Sequence, residues 1–185
     1  NPLFFDNSIF DVYVSLLNGC KLIPIHSHEL IVPSNLIKNL KRKKITIWFS
    51  VPTLICYINK FFDWNEYSIP SLKKIIFGGE TFPKKELQKL FLKFTKTKFI
   101  SVYGPTEGTC ICSHHNVRIS DFSRNEISKF LPLGKKMWHT FDYKIFTKNQ
   151  INCKSKTGEL YLSGSNITDG YLGGKNKNKF IKLKD

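Results

Sequence analysis

The sequence predicts an α/β fold: a parallel sheet with covering helices, followed by a β-rich extension. Three observations predict it. Strand-like and helix-like runs alternate over residues 33–103, joined by short connections, which is the signature of βαβ units. Strand-like runs at 72–77 and 98–103 end in glycine-containing loops, the kind of loop that carries ligands at the strand ends of open sheets. From about residue 109, the runs TCICSHHNV, TFDYKIF and GELYLSG read as strands with no long helix between them.

The elements follow in order. SIFDVYVSLLN (8–18) places apolar groups at helical spacing, with Ser8 as its cap, Asp11 in the first turn and Gly19 at its stop. CKLIPI (20–25) reads as a strand, and PSNLIKNLKRKK (33–44) as a basic helix begun by Pro33 or Ser34. ITIWFS (45–50) is β-branched and aromatic, hence a strand. PTLICYINKFF (52–62) returns to helical periodicity, and LKKIIF (72–77) is a strand ending at Gly78-Gly79. FPKKELQKLFLKF (82–94) is an amphipathic helix with Leu87, Leu90, Phe91 and Phe94 on one face. KFISVY (98–103) is a strand that runs into the loop GPTEG. Residues 1–108 form the α/β part and 109–185 its β-rich continuation, with the tail GGKNKNKFIKLKD either a short helix or a frayed end.

The 185 residues suffice for one sizeable domain, and 41% hydrophobic with 14% aromatic content supports a packed core. No apolar run reaches the roughly 18 residues of a membrane-spanning helix. No signal peptide is visible, and the five cysteines are odd in number and scattered. The expectation is a cytoplasmic protein with reduced thiols and no membrane partner. The first residue is Asn1, so we expect a piece of something longer.

A formal charge of +15 points toward anionic partners. Yet only Arg42, Arg118 and Arg124 are arginine among 29 basic residues, and alanine is absent. Readers of phosphate and base edges favour the planar arginine fork. We therefore read the basic surface as compositional drift and expect no nucleic-acid partner.

The strand-end loops carry the candidate chemistry. One is Gly78-Gly79-Glu80-Thr81, and the other is Tyr103-Gly104-Pro105-Thr106-Glu107-Gly108-Thr109. Glycines let backbone approach a flat ligand, tyrosine offers a stacking face, threonines offer hydroxyls to phosphate, and a glutamate suits Mg²⁺. Residue types alone leave two readings open, a nucleotide site with its metal or a pair of ordinary glycine turns. Cys110, Cys112 and His114 alternate on one face of the strand pattern, with His115 adjacent. They lack the second arm of a zinc site and read as a packed strand. His26 and His28 read as surface or loop histidines.

FDNS, GGE, YGPTE and GELYLSGSNITDGYLG occur in that order, with GGE about 25 residues before YGPTE. Jointly they resemble the acyl-adenylate-forming superfamily over essentially the whole chain. The resemblance is to its amino-acid adenylation branch: adenylation domains of non-ribosomal peptide synthetases and ligases that load D-alanine onto a carrier protein. It implies ATP and Mg²⁺ as cofactors, an amino acid as substrate and a phosphopantetheinylated carrier protein as partner. It implies that Tyr103 stacks by the adenine and that Gly79, Glu80, Thr81 and Gly104 line the nucleotide. It implies that Thr106 bonds the α-phosphate, Glu107 holds Mg²⁺ and Asp6 pairs with the substrate ammonium. Without the resemblance, Asp6 reads first as a helix-capping aspartate just before residue 8; the resemblance reverses that preference. The implied side-chain pocket comprises Asn7, Phe10, Phe49, Ile76, Gly78, Val102, Cys110 and Ile111. Phe10 and Phe49 fill much of it, and Gly78 opens room on one wall, where the D-alanine branch typically carries cysteine. GYLG and FGGETFPKKEL still lean toward that branch.

The resemblance also implies parts not found in these residues: an upstream phosphate loop, a YRTGD-type aspartate and a subdomain with a catalytic lysine. The expectation is therefore a fragment of an amino-acid-activating ligase, inactive alone, with no catalytic residue of its own and dependent on the missing remainder of the adenylation domain. The alternative is a non-catalytic basic binding module or relic.

Overall fold

The structure, a computed structural model, describes residues 1–64, 67–123, 130–137, 141–147, 150–151, 157–174 and 180. A helical run, α1 (7–17), opens the chain, with a π-helical stretch at Phe10–Val14 between two α-helical turns. Helices α2 (Ser27–Ile31) and α3 (Pro33–Arg42) precede β1 (Ile47–Ser50). Then come α4 (Pro52–Phe61), β2 (Lys74–Gly78), α5 (Lys84–Lys93) and β3 (Lys98–Tyr103). Strands β4 (Ser113–Asn116), β5 (Lys135–Lys136), β6 (Asp142–Thr147), β7 (Gln150–Ile151) and β8 (Glu159–Ser163) complete the order.

β1, β2 and β3 pair in parallel through the α4 and α5 crossovers. β4 then adds antiparallel to β3, and β5 antiparallel to β4, giving a five-stranded sheet of order β1-β2-β3-β4-β5. β7, β6 and β8 form a separate antiparallel sheet. The mixed architecture is the α/β class the alternation predicts.

Side-chain alternation divides the two faces of the large sheet. Trp48, Ile75, Phe77 and Phe99 face a core shared with Leu36, Ile37 and Leu40 of α3, Ile55 and Ile58 of α4, and Leu87 and Leu90 of α5. Each fully buried aliphatic side chain contributes about 1.5–3 kcal/mol. The opposite face presents Phe49 and Ile76, adjacent in register and both buried. α1 lies over it, with Phe10 packed edge-to-face on Phe49 at 5.0 Å between ring centres. On the same helix Tyr13, Leu16 and Leu17 are exposed.

Residues 20–25 depart from expectation: they form no strand. Ile25 rests against the core, but strand pattern without a pairing neighbour makes no ladder. Ser8 is not the cap of α1. Asp6 stands at the boundary before α1 without a capping bond from its side chain, and the Ser8 hydroxyl donates back to the Leu3 carbonyl at 3.3 Å. Gly19, at φ +63, ends the helix as expected. Cys20, Cys56, Cys110 and Cys112 are free thiols, while Cys153 and most of the lysine-rich tail lie outside the described residues.

Candidate functional site

Asp6 enters the site through the turn before α1. Its backbone is already helical, at φ −62 and ψ −22, and its side chain makes no capping hydrogen bond. A capping aspartate has extended backbone and accepts from the first-turn amides; Asp6 does neither. Its Oδ2 is sealed from solvent and has no hydrogen-bond partner. One residue on, Asn7 faces two other segments. A Cβ on Gly79 would stand 3.6 Å from Asn7 Nδ2, and the Cys110 thiol donates to Asn7 Oδ1 at 3.9 Å.

The loop after β2 is shaped by its two glycines. Gly78 is buried, and a Cβ there would lie 2.6 Å from Val102 Cγ2 and 2.5 Å from the Val102 carbonyl. The expectation that Gly78 opens room in the pocket is therefore corrected: Val102 occupies that space. Gly79 takes φ +83, a left-handed conformation that favours glycine. Glu80 then turns its carboxylate onto the start of α4, accepting from the Thr53 amide at 3.0 Å and from the Thr53 hydroxyl. This supplies an acceptor to a helix N-terminus that lacks a capping side chain of its own. Thr81 is exposed beside it.

The loop after β3 is tighter. Thr106–Gly108 form a single 3₁₀ turn, followed by left-handed Thr109 (φ 56) and Cys110 (φ 74). Two consecutive left-handed residues reverse the chain, and the Cys112 amide donates to the Tyr103 carbonyl at 2.8 Å. A Cβ on Gly104 would collide with the Cys110 carbonyl and stand 2.9 Å from Ile111 Cα. Gly104 is therefore a packing requirement of this reversal. The same reversal corrects the strand reading at 110–114, because regular alternation begins only at Ser113. Cys110, Cys112 and His114 thus make no shared metal face, and no group of three or more metal-ligating side chains gathers among the described residues.

Glu107 is held from the far end of the chain. Its carboxylate accepts from the Tyr171 hydroxyl, and its carbonyl accepts from the Thr168 amide at 2.9 Å. That bond raises the Tyr171 phenol above its ordinary pKa. Burial raises the Tyr103 phenol, helped by Cys112 and Glu107. Burial, then the Asp6 charge, pushes the Cys110 thiol up to about 11, and burial alone pushes Cys112 up to about 11.

Segments distant in sequence thus converge. Asp6 before α1, with Asn7 and Phe10 of α1, meets Gly79, Cys110 and Phe49 from three other segments. Phe49, Ile76, Gly78 and Val102 share the sheet face beneath α1 through the parallel register. Ile111 is half-buried beside Cys110, while Thr81 and Thr106 are exposed on their loops. Sequence reading missed Tyr171 and Thr53 as partners of the two loop glutamates. GYLG and the Pro52-Thr53 helix start were their only local signals.

The family model described as AMP-binding enzyme matches residues 1–172. A D-alanine--D-alanyl carrier protein ligase of Bacillus cereus (strain AH187) is 29% identical over 177 residues, covering 93% of this chain and 34% of that protein. The ligase of the same name from Bacillus licheniformis is 28% identical over 176 residues, again covering 34% of its length. The chain thus spans about a third of the curated relatives it matches. Among solved structures, CmiS6 superposes with TM-score 0.83 at 22% identity, covering 94% of this chain and 41% of that one. PA1221, an NRPS protein containing adenylation and PCP domains, superposes with TM-score 0.79 at 20% identity, covering 100% of this chain and 36% of that one. With the family model spanning nearly all of its length, the chain belongs to the AMP-binding enzyme family.

Proposed function

We propose that this chain supplies the amino-acid pocket and part of the nucleotide site of a ligase that uses ATP to activate an amino acid and loads a phosphopantetheinylated carrier protein. The observation that carries the reading is Asp6, whose Oδ2 is buried and unpartnered. A carboxylate withdrawn from water without a cation is costly, and a substrate ammonium supplies the missing charge. The names of the curated relatives, carrier protein ligases, support the carrier as partner.

In this reading the Asp6 carboxylate holds the ammonium and so aims the substrate carboxylate at the α-phosphorus. A substrate oxygen bonds to that phosphorus, its bond to pyrophosphate breaks, and an aminoacyl-adenylate results. A carrier thiol then attacks the acyl carbon and AMP leaves. Phe10, Phe49, Ile76 and Val102 keep water from the side-chain end of the pocket, with Asn7, Gly78, Cys110 and Ile111 completing its wall. Tyr103 stacks by the adenine, Gly79, Glu80, Thr81 and Gly104 line the nucleotide, and Thr106 bonds the α-phosphate. Catalysis is chiefly positioning.

Mg²⁺ neutralises triphosphate charge when bound, and Glu107 is the residue that would hold it. One carboxylate, already steadied by the Tyr171 hydroxyl, fits an ion that arrives on phosphates, since Mg²⁺ is commonly held by one or two carboxylates plus substrate oxygens. The stretches 1–108 and 109–185 serve one site, because Glu107 and Tyr171 lie on either side of that division.

The test is amino-acid-dependent ATP–pyrophosphate exchange by a polypeptide of the relatives' full length. Exchange with one or a few amino acids, lost in Asp6→Ala, is expected. Exchange that is independent of Asp6 overturns the site. The isolated 185 residues are expected to give none, since each missing transition-state contact costs about 3 kcal/mol.

A further inference from the structure

Strand β4 carries two adjacent histidines that face opposite sides of the sheet. His115 is satisfied: its Nε2 lies 2.9 Å from Asp121 Oδ2, which also accepts from the Arg118 amide at 2.7 Å. His114 is not. Its Nδ1 is sealed from solvent and has no hydrogen-bond partner. Among the described residues only one other side-chain atom is buried and unpartnered, Asp6 Oδ2.

The sheet register says where His114 stands. Gly78 pairs with Val102, and Val102 pairs with His114. Register partners share a face, so this row lies on the face that carries Ile76 and Phe49. Directly opposed residues of an antiparallel pair hold their Cβ atoms about 5 Å apart. His114 therefore stands on the sheet face of the proposed pocket, one strand beyond Val102. Its strand is bracketed by β3 and by Lys135 of β5, and left-handed Gly134 presses close to its carbonyl.

We infer that His114 reads the substrate side chain, and that the substrate is an α-amino acid with a short, uncharged, hydrogen-bonding side chain: a hydroxyl or a carboxamide. The inference rests on the proposed amino-acid site. Shortness follows from the Phe10–Phe49 edge-to-face pair and from Val102 filling the space over Gly78. The hydrogen bond follows from the unpartnered ring nitrogen, which accepts or donates according to tautomer. Hydroxyls and carboxamides can do either. An apolar side chain would leave Nδ1 unsatisfied on binding, a loss of about ten-fold or more in specificity constant.

The experiment compares near-isosteric pairs by pyrophosphate exchange with the full-length polypeptide: serine against 2-aminobutyrate, threonine against valine, asparagine against leucine. The polar member of at least one pair is expected to win by about ten-fold or more. His114→Phe should bring that ratio close to unity. His114→Asn, which keeps an amide near the Nδ1 position, should retain most of it. Asp6→Ala should depress both members of each pair alike. A wild-type preference for the apolar members, or a ratio that His114→Phe leaves unchanged, overturns the inference. Should the Phe variant not fold, the wild-type ratio and the Asn variant decide alone. Exchange with no amino acid at all overturns the amino-acid site itself, a different failure from exchange that ignores His114.

Discussion

The Cys110 thiol donates to Asn7 Oδ1 at 3.9 Å, a contact across 103 residues of sequence. It joins the loop after β3 to the first turn of α1, beside Asp6. A thiol is a weak donor, so the contact marks packing more than it supplies energy. The Asp6 charge nevertheless reaches Cys110 and helps hold its thiol neutral.

Asp6→Ala tests that carboxylate directly. In the full-length polypeptide the specificity constant for amino acids should fall two or more orders of magnitude, since a buried ammonium left unpaired costs roughly 3–5 kcal/mol. Apparent affinity for ATP should change little. The melting temperature should hold or rise, because Asp6 caps nothing and its Oδ2 is buried without a partner. A cap would lose about 1 kcal/mol of stability with activity nearly intact. Exchange rates and melting curves on the same variant separate the two outcomes.

Gly104→Ala tests the chain reversal. The added methyl would meet the Cys110 carbonyl and Ile111 Cα, main-chain atoms that cannot swing aside. Destabilisation of about 2 kcal/mol or more is expected, read as a lowered urea midpoint. Gly170→Ala meets nothing within 4 Å but sits at φ +144, so its penalty is conformational strain without a clash, and it should cost less than Gly104→Ala. Equal midpoints for the two variants would contradict the packing role of Gly104.

The buried thiols predict an alkaline limb of stability. Cys110 and Cys112 titrate near 11 in the fold, whereas an ordinary thiol titrates near 8.5. Between those values the unfolded chain binds fewer protons than the native one, so stability falls as pH rises. The contribution is complete below about pH 8.5 and is lost toward pH 11. Urea midpoints at pH 8 and 10.5 should drop more for wild type than for the Cys110→Ala/Cys112→Ala pair. At pH 8, thiol labelling read by peptide mapping should mark exposed Cys20 well before Cys110 or Cys112.

The fold class was legible because its signals are local. KFISVY became β3 at Lys98–Tyr103, residue for residue, and FPKKELQKLFLKF became α5 at Lys84–Lys93. Both encode their periodicity within a dozen residues, and each buried face found the core its pattern required. Residues 20–25 carried the same local signal and formed no strand, because pairing needs a neighbour that sequence alone does not name. The motifs FDNS, GGE and YGPTE were equally legible as spelling, and the family match, over residues 1–172, contains them all.

The site is another matter. Sequence proposed Asp6 either as a cap or as an amine partner; the helical backbone of Asp6 and its missing capping bond were decided by the turn before α1. It suggested space at Gly78, and the parallel register filled that space with Val102. It aligned Cys110, Cys112 and His114 on one strand face, and two left-handed residues separated them. It gave no sign that His114 would keep a ring nitrogen unsatisfied while His115 found Asp121. Periodicity and motif spacing are properties of neighbours along the chain. Which polar atom is left without a partner depends on contacts between residues a hundred positions apart, and only the folded sheet brings those together.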